Sequence, residues 1–296
     1  MKEIIRQVLP LWGIEDDKLL QVYSSAWEVN GSCILKIYDD LEQMERNIKI
    51  LTTLKGCDIP VAEILSTKAG EKYVAHRNHY FLLTKKLPGS NAADLRDNTA
   101  VWKMGAAMAR LHQAFLQCEK EMEFWDNSLL QEMQGWIREN LEDSEWKVVG
   151  KEEYLKTASS LEKVYDDLPK QLIHRDVHFG NFLFFEGSLS GYIDFDLSQR
   201  NIRIFDVCYF LAGLLAEETE TPLTKEEWLR NVKAVIDGYE SISQLTLKEK
   251  AAIPCVMECI EILFAAYYIG RKDMKCAREA DQIFRFIKEC ERDLEF

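Results

Sequence analysis

Residues 33–38, Cys33-Ile34-Leu35-Lys36-Ile37-Tyr38, are apolar at nearly every position, and Asn30-Gly31 stands just ahead of them. That pattern predicts a strand paired through a tight hairpin with Trp27 to Val29. Leu19 to Val22 predicts a further strand, and residues 1–12 a short amphipathic helix. At Leu41 the period changes. Leu41, Met44, Ile48, Leu51 and Leu54 recur at steps of three and four, the stripe of a helix over 41–54 that stops at Gly56. Strand patterns return at Ile64 to Thr67, Tyr73-Val74 and Tyr80 to Thr84, with Gly70 as a turn. Leu87-Pro88-Gly89-Ser90 then breaks the pattern. Helical periods dominate afterwards, at about 91–116, 127–141, 151–166, 206–217, 225–239, 247–269 and 274–294. The predicted class is α+β: a small antiparallel β lobe with one helix over 1–86, and a large, mainly helical lobe over 87–296. The hinge falls at about 84–89, and a cleft between two such lobes is where a small ligand would bind.

The formal net charge of −13 argues against nucleic acid, because no basic stripe is present to meet a phosphate backbone. Acidity suits a cationic substrate, and it also serves plain solubility. No apolar run reads as long enough to span a bilayer, and the charged start Met1-Lys2-Glu3-Ile4-Ile5-Arg6 is unlike a signal peptide. The expected location is the cytoplasm, with no membrane partner. The eight cysteines form no Cys-x-x-Cys pair. Cys255 and Cys259 lie one helical turn apart with no histidine near, so reduced packing thiols are expected rather than zinc.

The chemistry concentrates at residues 174–196. His174-Arg175-Asp176-Val177-His178-Phe179-Gly180-Asn181 precedes the apolar run Phe182 to Phe185, a turn at Glu186-Gly187-Ser188, and Ile193-Asp194-Phe195-Asp196. Gln171 to Ile173 leads in as a short strand, and Gly180 supplies backbone latitude. A hairpin of this size folds Asp194 back beside Asn181. An amide oxygen and a carboxylate are the hard donors that Mg²⁺ accepts beside phosphates. Asp176 then stands where a base would orient an attacking hydroxyl. The plain alternative is a β-hairpin with incidental acids on its rim. Lys36, among apolar strand residues on the face it shares with Ile34, needs an anionic partner unless it merely guards a strand edge.

With these motifs the chain resembles the aminoglycoside phosphotransferase and choline kinase superfamily, which has the protein-kinase-like fold. The order His-Arg-Asp-x-His-x-x-Asn, then Ile-Asp-Phe-Asp, is similar to its homoserine-kinase-like and spore-coat-kinase-like branches. Met108-Ala109-Arg110-Leu111-His112, Phe205-Asp206-Val207, Gly238-Tyr239 and Leu245-Thr246-Leu247-Lys248-Glu249 resemble other family segments. The resemblance implies an ATP- and Mg²⁺-dependent phosphotransferase acting on a hydroxyl of a small molecule: an amino alcohol, an amino acid, a sugar or an aminoglycoside. It makes 1–86 the nucleotide-binding lobe and 87–296 the catalytic and acceptor-binding lobe.

The same resemblance assigns roles. Asp176 is the base, Asn181 and Asp194 hold the metal, and Lys36 meets the α and β phosphates. Glu45, flanking the apolar stripe, is the expected partner of Lys36, although counting back from Leu54 puts Asn47 where the family often has a glutamate. Adenine would take main-chain bonds from Thr84, Lys85, Lys86 and Leu87, with Ile34 as roof and Leu183 and Ile193 as floor. The phosphate-covering loop, Tyr23-Ser24-Ser25-Ala26, has no glycine, which predicts modest nucleotide affinity. His174 and Asp206 would brace the loop, and His178 would support it or approach the acceptor. Asp196 is a further acid that a cationic substrate could meet. Trp102, Trp125, Trp136 and Trp146 would either cage a quaternary ammonium or simply pack. The other reading is a catalytically weak or inactive pseudokinase with a nucleotide-sensing or structural role. A protein kinase ranks last, because no Ala-Pro-Glu segment follows Asp194.

Overall fold

The structure is a computed structural model describing residues 1–15, 18–91, 94, 96–216 and 222–294. Contacts divide the chain into two compact units, Met1–Ser90 with Phe182–Asp196, and Asn91–Asn181 with Leu197–Phe296. The stretch 182–196, expected with the second lobe, thus packs with the first.

The first unit opens with helix α1 (Lys2–Val8), followed by a 3₁₀ turn over Leu9–Trp12. Strands β1 (Leu19–Gln21), β2 (Ala26–Val29) and β3 (Cys33–Tyr38), helix α2 (Leu41–Gly56), and strands β4 (Val74–His76) and β5 (His79–Lys85) complete its first ninety residues. The five strands form one antiparallel sheet in the order β1-β2-β3-β5-β4. Asn30 and Gly31 both hold positive φ, 54° and 71°, as the central residues of the tight turn that Ser32 N closes by donating to Val29 O. One sheet face carries Trp27, Val29, Leu35, Ile37, Phe81 and Leu83, packed on Ile5, Val8 and Leu9. The opposite face carries Tyr38 and Leu82 against Met44 and Ile48 of α2. Asp40 caps α2 by accepting from the Gln43 N–H at 3.0 Å. The expected strand at Ile64 to Thr67 is instead a short bridging segment: Leu65 N donates to Leu83 O, and Lys85 N to Glu63 O.

The remaining elements in chain order are α3 (Asn98–Glu121), α4 (Leu129–Glu132), α5 (Arg138–Asp143), α6 (Lys151–Tyr165), β6 (Lys170–Ile173), β7 (Phe182–Phe185), β8 (Ser188–Tyr192), β9 (Gln199–Ile202), α7 (Ile204–Ala216), α8 (Lys225–Glu240), α9 (Leu247–Gly270) and α10 (Met274–Cys290). β7 and β8 pair as the expected hairpin, Phe182 opposite Tyr192, and belong to the first unit. Ser90 exchanges backbone bonds with Phe184 at 3.1 and 2.7 Å, tying the hairpin to the Leu87–Ser90 segment. In the second unit β6 pairs with β9, and α3 lies against α8 at Gly105 and Gly238.

α9 corrects one expectation. It is long and apolar enough to cross a membrane by length and composition, although no apolar run had read so. Its most apolar window is 61% buried within the protein, which marks the core helix of the second unit. All eight cysteines are free, four of them buried.

Candidate active site

In the second unit, strand β6 delivers the chain into the His174–Asn181 loop, and the loop is gripped from behind. Asp206, in the first turn of α7 and wholly buried, accepts the backbone N–H of His174 through Oδ2 and of Arg175 through Oδ1, each at 2.8 Å. His112 Nε2 meets the same Oδ2 at 2.9 Å, and its Nδ1 meets Tyr239 Oη at 2.8 Å. With Nε2 facing a carboxylate, the ring donates from Nε2 and accepts from the tyrosine at Nδ1. Arg175 sits at φ 68°, a costly conformation for a side-chain-bearing residue. Its guanidinium donates to Glu132 Oε1 at 2.7 Å.

This grip presents Asp176. Tyr209 Oη, from α7, donates to Asp176 Oδ1 at 2.8 Å. Asn181 Nδ2 donates to the Asp176 carbonyl at 2.8 Å and to Oδ2 at 3.3 Å. Burial, then the Asp176 charge, push the Tyr209 phenol far above its usual range, so it stays a donor. Both Asn181 amide protons are thereby engaged near Asp176, and its Oδ1 carries no bond among the described residues. His178 Nε2 lies 3.9 Å from Asp176 Oδ2, and its Nδ1 accepts from Gly180 N. Gly180 is needed for space rather than for unusual φ: a Cβ there would stand 2.7 Å from the His178 ring.

The first unit holds the other candidates. Lys36 Nζ donates to Asp194 Oδ1 at 2.8 Å and to Asp196 Oδ2 at 2.6 Å. Asp194 is at φ 67°, two residues past the Phe182–Tyr192 pair that closes the hairpin. Glu45 does not pair with Lys36. It is exposed, and the inward position on α2 belongs to Asn47, which donates to Asp196 Oδ1 at 2.6 Å. The physical reason is helical phase: Glu45 lies about 100° from Met44, outside the stripe, whereas Asn47 falls within it.

The adenine expectation is narrowed. Lys85 N and Lys86 N already donate to Glu63 O and Ser32 O, and the two side chains pair with Glu63 and Glu28 at the surface. Leu87 N–H is the one main-chain donor of Thr84–Leu87 outside the strand pairing that carries no bond among the described residues. Ile34 stands opposite Thr84 and Leu183 opposite Gly191, and Ile34, Leu183 and Ile193 are each half-buried, so none is plain core. The glycine-free turn closes on itself, with Val22 N and Tyr23 N both donating to Ala26 O. Among the described residues the four tryptophans show no stacking on one another: Trp102 and Trp125 are exposed, Trp146 lies against Tyr154 and Trp136 donates to Glu132.

Tyr209 escaped the sequence reading entirely. Its only signal is its place four residues after Phe205, one turn further along the helix that carries Asp206. Glu132, more than forty residues before Arg175, left none.

The profile of a phosphotransferase enzyme family matches residues 14–244. The chain belongs to that family. Among curated relatives, the homoserine kinase of Gluconobacter oxydans (strain 621H) is 27% identical over 216 residues, 71% of this chain and 64% of that protein. The match therefore spans somewhat less than two thirds of that relative's length. Two solved structures share the fold. The amicoumacin kinase hAmiN, in complex with AMP-PNP, Ca²⁺ and Ami, superposes with TM-score 0.72 at 20% identity over 99% of this chain and 93% of that one. The GDP and kanamycin complex of APH(2")-IIia gives 0.69 at 16% identity over 97% and 98%. This likeness confirms the kinase-like α+β fold, and the phosphotransferase enzyme family is the one the motifs had pointed to.

Proposed function

We propose that this family member is a small-molecule kinase that moves the γ-phosphoryl group of ATP to a hydroxyl of an amino alcohol, amino acid, sugar or aminoglycoside. One observation carries the reading: Asp176 is pinned on both oxygens by neutral donors, Tyr209 and Asn181. A carboxylate so held keeps its aim, which is what orienting an acceptor hydroxyl requires. Phosphoryl transfer needs little covalent help from a protein, so positioning and charge neutralisation are the main tasks.

Each proposed ligand is of a type that suits Mg²⁺. Asn181 offers an unbonded amide oxygen and Asp194 a half-exposed carboxylate. Among the described residues no group of three or more His, Cys, Asp or Glu side chains could hold an ion by itself. Two protein oxygens completed by phosphates and water is the arrangement Mg²⁺ ordinarily takes. Bound there, the ion would neutralise charge between the phosphates. Lys36 would meet the α and β phosphates, Leu87 N–H the adenine edge, and Ile34, Leu183 and Ile193 its faces.

The test is a thermal shift with MgATP and MgGTP, followed by ADP production across a panel of amino alcohols, amino acids, sugars and aminoglycosides. Acceptor-dependent ADP supports the proposal. Nucleotide binding with no transfer to any acceptor would favour the pseudokinase reading, and no binding would exclude both.

A further inference from the structure

Lys36 has no carboxylate on α2, yet it is not left loosely held. Asp196 Oδ2 accepts from its Nζ at 2.6 Å. The other oxygen, Oδ1, accepts from Asn47 Nδ2 at 2.6 Å and from Tyr38 Oη at 3.1 Å. Asn47 Nδ2 also reaches Tyr38 Oη at 2.5 Å. Three pieces of one unit, β3, α2 and the segment after β8, thus close on a single carboxylate. Two neutral donors saturate one oxygen and leave the second aimed at the lysine. Asn47 is turned for this purpose at a cost. Its Oδ1 is buried without a partner, while its amide protons face the acid.

The two acids on Lys36 are not equivalent. The Asp194 side chain is 44% exposed, and that of Asp196 is 23% exposed. Asp194 lies on strained backbone, and Asp196 has the Asn47–Tyr38 clamp.

We propose that Asp196, clamped by Asn47 and Tyr38, is the positioning residue for Lys36. It supplies the counter-charge that a helix glutamate gives in other kinases, and frees Asp194 for the metal. This rests on the kinase reading above.

The test is a swap. Asp196→Asn should lower kcat/KM for MgATP roughly a hundredfold, leaving KM for the acceptor unchanged. Adding Asn47→Glu to that variant returns a carboxylate to α2 and should restore at least about tenfold. Tyr38→Phe, a milder change that keeps the ring, should cost several-fold. A second readout needs no turnover: the rate at which the Lys36 amine is acylated, followed by mass spectrometry at pH 8–9. Labelling should be slow in the unaltered protein, faster in Asp196→Asn and slow again in the double variant. Wild-type kinetics and labelling in Asp196→Asn would overturn the proposal. So would rescue by raised Mg²⁺ or Mn²⁺ but not by Asn47→Glu, which would make Asp196 a metal ligand. If the unaltered chain neither binds nor uses nucleotide, the kinase reading fails. The labelling pattern still decides whether Asp196 positions Lys36.

Discussion

Asp206 is the residue on which the loop geometry most depends. It is fully buried and accepts two backbone N–H groups and an imidazole. Asp206→Asn turns one acceptor into a donor facing donors, so a loss of roughly 3–5 kcal/mol is expected, read as a lowered denaturant midpoint. Tyr209→Phe removes one hydrogen bond from Asp176 and leaves the ring stacked on Phe205. A fall in kcat of about tenfold is expected, with KM for ATP unchanged. Glu261 of α9 is buried, and burial pushes its carboxyl up to about 8. A raised folded-state value means the folded chain holds a proton that the unfolded chain has already released, between about pH 4.5 and 8. Stability is then lost through that window as pH rises. The Tm advantage of Glu261→Gln should widen from pH 5 to pH 8 and level off above, and a constant gap would refute the assignment. Asp176, Asn181 and Asp194 could be singled out because their spacing is local, and Lys36 because it is the one charged residue in the apolar run Cys33 to Tyr38. Glu45 misled because flanking a stripe is not lying in it. Asn47 was the polar residue inside the stripe, and its partner lies 149 residues away.

Packing between helices is most exposed to test at α3 and α8. A Cβ on Gly238 would stand 2.1 Å from the Trp102 carbonyl oxygen, and one on Gly105 2.1 Å from that of Val235. Both obstacles are backbone, so neither can swing aside. Gly238→Ala is expected to cost about 1–3 kcal/mol or more and to lower Tm by several degrees, with the catalytic loop unaltered in a crystal structure. Nothing in the pattern of apolar positions signalled that closeness. Periodicity did locate most of the elements, since α2, α6 and α8 each bury one stripe. It placed the start of α3 early, at 91 against Asn98, where Asp97 caps the helix by accepting from Thr99 N at 2.9 Å. It missed the break within 127–141, where Gly135 leaves helical angles at φ −103° and ψ −117°. It also read 64–67 as a full strand, because apolar alternation cannot tell a ladder from a short bridge.

Across the chain, a net charge of −13 leaves Lys36 as the cation that Asp194 and Asp196 share, and phosphates must compete for it. Nucleotide without divalent ion is therefore expected to bind poorly. MgATP at a hundred times its Kd should stabilise the fold by about 2.7 kcal/mol. The fold class was legible because strand and helix periods segregate along the sequence. The packing of 182–196 with the first ninety residues was not, because it depends on Ser90, Gly89 and Leu87 meeting the hairpin from far away in sequence. On the proposed function, Asp176 aims an acceptor at ATP. The most direct measurement follows γ-³²P-labelled ATP into product over the acceptor panel, with Mg²⁺ present or chelated, for the unaltered protein and for Asp176→Asn. A labelled phosphate ester is expected that requires acceptor and Mg²⁺ and falls roughly 10²–10⁴-fold in the variant. Release of free phosphate alone, or an ester formed equally well by Asp176→Asn, would contradict it.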